Sequence, residues 1–124
     1  MTADEADVRA LFERWNQAVR DENVDAILRD HADDFVMFDV VPPRESRGLA
    51  EYAKTWELFY SNNVKPVQFD FTDVDVTAGS DVAFVRAIGH CVTLQEPVEF
   101  RLTMCLRKRD GRWIVTHEHH SVTV

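Results

Sequence analysis

The sequence predicts an α+β fold. The expected form is a cone-shaped, curved antiparallel β-sheet wrapped around three helices, in the order α-α-β-α-β-β-β-β. Three observations carry this. Helical periodicity is confined to the first half of the chain, and everything after Asn62-Asn63 alternates with the period of a strand. Helices that come first and strands that follow as a meander make an α+β domain. Most of the four Gly and four Pro fall at joints between these segments and none builds a linker, so the 124 residues read as one domain over 1–124.

Thr2-Ala3-Asp4-Glu5 has the spacing of a capping box. Val8, Leu11, Phe12, Trp15, Ala18 and Val19 then recur at helical spacing, and this first helix ends near Asp21-Glu22-Asn23. A short second helix carries Val24, Ile27, Leu28 and His31 on one face and ends at Asp33-Asp34. Phe35 to Val41 is a β-rich run stopped by Pro42-Pro43, and Arg44 to Gly48 is a polar loop. Leu49, Tyr52, Trp56, Phe59 and Tyr60 mark a third helix, closed by Asn62-Asn63.

Val67, Phe69 and Phe71 alternate, then Val74 and Val76 take the opposite parity. That slip predicts a bulge near Thr72-Asp73. Ala78 to Asp81 is a turn, and further strands run from Val82 to about Leu94 and from Val98 to Arg107. Asp110-Gly111 is a hairpin signal, and the last strand is Arg112 to Val124.

Composition narrows the function. Apolar residues make up 45% and charged residues 29%, which is globular and not disordered. With 14 Lys+Arg against 22 Asp+Glu the net charge is −8, which disfavours nucleic acid and anionic membranes as partners. No apolar run reaches membrane-spanning length, and the acidic start lacks the layout of a leader peptide, so the cytoplasm is the expected location. Cys91 and Cys105 are too few for a disulfide scaffold and read as small buried thiols.

The chemistry is carried by polar residues that interrupt apolar faces. Val82, Phe84, Arg86, Ile88, His90 and Val92 share one face of a strand. An arginine in such a face needs a partner, either a structural ion pair or a ligand, because an unpaired charge there is costly. This face is read as pocket-facing, with Arg86 and His90 as ligand contacts. Ala83, Val85, Ala87, Gly89 and Cys91 line the other face, which is apolar where solvent is expected, so a homodimer through the outer face of the sheet is inferred. Asp39 ends an apolar strand at the mouth of the cone. A carboxylate among aromatics has its pKa raised by desolvation, which suits a general base; the bland alternative is a strand-end cap.

His117-Glu118-His119-His120 is not a zinc-protease motif, because position 121 is Ser and the segment is a strand. No metal site is expected, and no cofactor. An even-length loop at Asp110-Gly111 turns His117 and His119 inward, whereas a three-residue loop with a bulge turns Glu118 and His120 inward.

These residues resemble the nuclear transport factor 2-like superfamily, specifically its SnoaL-like and ketosteroid-isomerase-like members. The markers are Ala32-Asp33-Asp34-Phe35, Phe38 to Pro42 leading to Arg47-Gly48, and Arg109 to Trp113 followed by His117 to Ser121. The resemblance covers essentially the whole chain and implies the curved-sheet cone. It puts Asp39 where ketosteroid isomerases carry their general base. The oxyanion hole departs from that pattern: Trp15 stands at the tyrosine position, and Thr103 or Met104 at the partner acid. The tail also resembles the association domain of calcium/calmodulin-dependent protein kinase II. There Arg86 and His120 match pocket arginines, Tyr52 falls near the pocket histidine, and Met104 replaces a further arginine. This second likeness favours the arrangement with His120 inside.

The expected function is that of a small-molecule pocket protein. As a cofactor-independent isomerase, cyclase or hydratase it would use Asp39 as general base on an apolar carbonyl compound held against Trp15, Tyr52 and Trp56. Arg86, His90 or His120 would steady the developing charge. The alternatives are a non-catalytic module that binds a small carboxylate on Arg86 and His120, and an oligomerisation domain.

Overall fold

The structure, a computed structural model, describes residues 1–63 and 65–124. Its helices are α1 (Ala3–Arg20), α2 (Val24–Leu28) and α3 (Gly48–Ser61). Its strands are β1 (His31–Phe38), β2 (Glu45–Arg47), β3 (Phe69–Ala78), β4 (Val82–Thr93), β5 (Glu96–Arg109) and β6 (Arg112–Ser121). The strands form one curved, unclosed sheet in the order β2-β1-β6-β5-β4-β3. Neighbours are antiparallel except β1 and β6, which run parallel and join the first strand to the last.

The capping box forms as its spacing implies. Thr2 Oγ1 accepts from Glu5 N at 3.1 Å, and Glu5 Oε1 accepts from Thr2 N at 3.4 Å. The buried face of α1 is Val8, Leu11, Phe12, Trp15, Ala18 and Val19, the predicted stripe. This face packs on β3, while α3 packs on β1 and buries Tyr52 and Trp56.

Several element boundaries differ from expectation, two of them with consequences for the site. The second helix stops at Leu28, and His31, Asp33 and Asp34 belong to β1. The sheet recruits them: Val115 N donates to Asp30 O at 2.7 Å, and His31 pairs with Val115. Asp33 and Asp34 stay exposed because the β1–β6 register shifts between His31 and Val36. Within the expected loop before α3, residues Glu45–Arg47 pair with β1 as the short strand β2. The bulge expected in β3 is present, with a register shift between Thr72 and Asp75 and Asp73 at φ 54°.

The two faces of β4 are exchanged relative to the sequence reading. Ala83, Val85 and Ala87 are buried against the helices, whereas Val82 is 56% exposed and Phe84 44% exposed on the far side. Gly89 on that face is small because the ring of Phe100 presses on it. A Cβ at Gly89 would stand 2.2 Å from Cζ of Phe100. That face is core, so the residues on which the dimer was inferred lie inside the domain.

Candidate functional site

Between the open end of the sheet and α3 lies a cup of about 520 Å³. Its wall is largely apolar, with Met37, Trp56, Phe59, Phe69 and Phe100 among the residues that line it. The charged side chains in that lining are Asp39 and His120, and neither Lys nor Arg reaches it among the described residues. Val40, Val41, Leu58 and Leu94 also line it and are exposed, so apolar surface continues out to solvent at the mouth.

Asp39 follows the last residue of β1, where the chain leaves the sheet. Its backbone N–H donates to Arg44 O at 3.0 Å, and its Oδ1 accepts from Val40 N at 2.7 Å. His120 Nδ1 stands 3.6 Å from that same Oδ1, an ion-pair distance. Asp39 Oδ2 takes no hydrogen bond from a described residue. One carboxylate oxygen is thus anchored, and the other has no hydrogen-bond partner among the described residues.

His120 faces in because of a bulge in β6. The β5–β6 turn is a two-residue one, with Arg109 opposite Arg112 and positive φ at Asp110 (53°) and Gly111 (74°), as type I′ demands. Such a turn puts Trp113 and Val115 on the core side, and both are buried. Between Cys105 and Leu106 the register then shifts by one, so that Leu106 pairs with Val115 but Cys105 pairs with His117. Thr116 is the extra residue. Beyond it Glu118 and His120 point inward, and His117 and His119 point outward. The outer pair packs against Phe38, with ring centroids 4.8 and 5.5 Å away. Among the described residues no group of three or more His, Cys, Asp or Glu is placed to hold a metal ion.

Behind His120 is a buried carboxylate. Glu118 is wholly buried and accepts three hydrogen bonds: from Tyr52 Oη at 2.8 Å, from His31 Nε2 at 2.8 Å and from His120 Nε2 at 3.3 Å. Tyr52 Oη in turn accepts from Trp15 Nε1 at 3.0 Å. Burial alone would raise the Glu118 pKa, but the hydrogen bonds and charge of His120 and His31 outweigh it and hold the group at about 2. Burial likewise disfavours a charged His120, and the carboxylates of Asp39 and Glu118 overcome it and lift that pKa to about 9. His120 is therefore an imidazolium near neutral pH, with Nε2 donating to Glu118 and Nδ1 at ion-pair distance from Asp39. Burial, and then the charge of Asp39, pushes the Cys91 thiol in the same wall up to about 11, so it stays protonated.

The structure brings Asp39, Trp56 and His120 to one cup. Trp15 and Tyr52 lie one layer below, buried and outside its lining. Arg86 and His90 stand on the opposite face of the sheet, which corrects their expected placement in the pocket. Arg86 Nε pairs with Asp75 Oδ2 at 3.3 Å in solvent, and His90 Nε2 meets Thr72 Oγ1 at 2.8 Å. Sequence reasoning turned Glu118 inward with His120 in one of its two arrangements but gave it no role, and it missed His31, which it placed on a helix. The available signal was the spacing of Glu118 and His120, which puts both on one face of a strand.

The sequence matches the SnoaL-like domain over residues 8–124. Among solved structures, an NTF2-like protein of unknown function from Pseudomonas putida KT2440 is 33% identical, with 98% of this chain and 87% of that one covered at a TM-score of 0.90. A candidate ketosteroid isomerase from Shewanella frigidimarina NCIMB 400 is 23% identical over 90% of this chain and 92% of that one, at a TM-score of 0.76. A candidate calcium/calmodulin-dependent protein kinase II association domain from Xanthomonas campestris is 22% identical over 94% and 85%, also at 0.76. No curated protein matches the chain. Three helices covering a curved sheet, an open cup and a match spanning residues 8–124 place the chain in the SnoaL-like domain family.

Proposed function

We propose that the chain is an isomerase or lyase that removes a proton from an apolar carbonyl compound, with Asp39 as general base. The observation that supports this is the Asp39–His120 pair, the charged feature of a wall otherwise built mostly from apolar side chains. Oδ2 of Asp39 is the free acceptor. The C–H bond next to the carbonyl breaks, its electron pair moves into the carbonyl as an enolate, and the proton goes to Oδ2. Proton transfer neutralises Asp39, so His120 is left to face the developing negative charge. A positioned donor of this kind is worth about 3–4 kcal/mol in the transition state. Return of the proton at another carbon completes an isomerisation. In a dehydration the enolate collapses to the enone as the C–O bond to a β-hydroxyl breaks, and the hydroxyl leaves as water with the proton that Asp39 Oδ2 took.

The carboxylate-binding alternative has less support. It relied on Arg86, which lies outside the cup. The imidazolium that remains is flanked by two carboxylates, so the polar end carries a negative excess and repels an anionic head. A homodimer through the outer face of the sheet stays part of the proposal, now resting on exposed Val82, Phe84 and Phe38.

The test is turnover of a panel of cyclic enones and β-hydroxy ketones, followed by ultraviolet absorbance. Asp39→Asn should lower kcat about 100-fold or more for any compound that reacts. Unchanged turnover in that variant would remove Asp39 from the chemistry. A thermal-shift screen in which only carboxylic acids stabilise the protein would favour the binding module instead.

A further inference from the structure

We propose that Glu118 is a positioning residue for the Asp39–His120 pair, its buried carboxylate holding His120 charged and oriented so that the imidazolium clamps Asp39. This deepens the reading of Asp39 as a base. It rests, however, on contacts that exist whether or not a carbonyl compound is the substrate.

The geometry carries it. A wholly buried carboxylate is costly unless its oxygens are satisfied. Here Oε2 takes two hydrogen bonds at 2.8 Å, from Tyr52 and His31, and Oε1 is left to His120 at 3.3 Å. The tightly bound oxygen fixes the carboxylate, and the other is thereby aimed at one imidazole nitrogen. With Nε2–H committed to Glu118, the ring presents Nδ1–H to Asp39 Oδ1. Phe100 packs against the ring, its centroid 5.5 Å away, and restricts its rotation.

The groups facing His120 come from several elements. They are Glu118 on β6 and Asp39 beyond β1, with His31 of β1 and Tyr52 of α3 acting through Glu118. Cys91 of β4 shares the cup and stays neutral, and β5 contributes uncharged Phe100 and Leu102. Two of these groups are carboxylates in contact with the ring. Asp39 is the outer one and is meant to lose its charge when it takes a proton. Glu118 is buried and keeps its charge through that step, so it is the constant half of the clamp.

The experiment is a proton–nitrogen correlation titration of the imidazole rings in uniformly labelled protein, with His120 assigned by loss of its signal in His120→Asn. In the wild type His120 should stay doubly protonated through pH 8. In the near-isosteric Glu118→Gln its midpoint should fall by about one unit or more. Turnover on any substrate found should fall with it through kcat at near-constant KM, and the alkaline limb of the pH profile should move to lower pH. Glu118→Asp should restore part of both. A His120 midpoint that Glu118→Gln leaves unmoved would overturn the proposal. If Glu118→Gln does not fold, Asp39→Asn decides: His120 must still titrate above the ordinary histidine value of about 6.5, and a midpoint at or below it overturns the idea. Because the titration needs no substrate, its failure is distinguishable from failure of the enzyme reading.

Discussion

The hydroxyl of Tyr52 stands 2.8 Å from Oε2 of Glu118 and ties α3 to β6 across the middle of the domain. The Tyr52 hydroxyl oxygen also accepts from Trp15 Nε1 at 3.0 Å, so α1 is drawn into the link. Burial, then the neighbouring carboxylate, pushes the Tyr52 pKa well above its ordinary value, and the hydroxyl remains a donor. Tyr52→Phe would leave the buried Trp15 N–H without its acceptor and Glu118 short of one donor. The expected cost is about 1–3 kcal/mol in urea denaturation, with the fold retained. A loss below about 0.5 kcal/mol would show that water or a neighbour replaces the hydroxyl.

Stability should depend on pH through Glu118 and His120. Glu118 falls from an ordinary 4.5 to about 2 in the folded protein, so its contribution is complete above 4.5 and is lost as pH falls toward 2. His120 rises from 6.5 to about 9, so its contribution is complete below 6.5 and is lost as pH rises through 9. Both are whole between 4.5 and 6.5. Each group is half of one interaction, so the two losses are not to be added. Urea midpoints of the wild type, measured relative to Glu118→Gln, should be flat from pH 4.5 to 6.5 and decline on either side. A difference that stays level from pH 6.5 to 9 would contradict the ion pair.

The legible parts of the fold were those set by local pattern. The stripe of α1, its capping box, the bulge in β3 and the Asp110-Gly111 turn each announce themselves within a few residues. Features settled by distant partners did not. Strand β2 is three residues long and exists only because β1 lies beside it. The faces of β4 were exchanged because both are rich in apolar residues, and only the position of Phe100 on the neighbouring strand explains Gly89. For the site, Asp39 was legible as a polar residue at the end of an apolar run and Trp56 as part of the apolar stripe of α3. The inward turn of His120 was expected from resemblance, but its cause is the extra residue at Thr116 and not the hairpin loop. His31 was read as helical, and its contact with Glu118 spans 87 positions of sequence.

Arg86 offers a direct check on the exchanged faces. Its ion pair with Asp75 lies in solvent, with both side chains at least half exposed. Surface pairs of this kind contribute about 0–1 kcal/mol. Arg86→Ala should therefore shift the urea midpoint little and leave ligand affinity in the cup unchanged, as read by isothermal titration calorimetry. His120→Asn should weaken the same ligand. A loss of affinity in Arg86→Ala would restore the arginine to the site.

Gly89 tests the link between packing and the cup. It lies on the inner face of β4 opposite Phe100 of β5, and a Cβ there would stand 2.2 to 2.6 Å from three atoms of that ring. No carbon pair tolerates such a distance, so the ring must move. It is 94% buried, with Phe69 and Phe71 on its flanks at centroid distances of 5.5 and 5.7 Å. The open direction is into the cup, whose wall Phe100 already forms beside His120. Gly89→Ala should thus cost about 1–3 kcal/mol through overpacking. It should also weaken ligand binding, because the displaced ring occupies ligand volume and disturbs the imidazolium it packs against. The paired variant Gly89→Ala with Phe100→Leu removes the obstructing ring and should recover part of the stability. A Gly89→Ala protein with the urea midpoint of the wild type and undiminished ligand affinity would mean that Phe100 does not fill the space above the glycine.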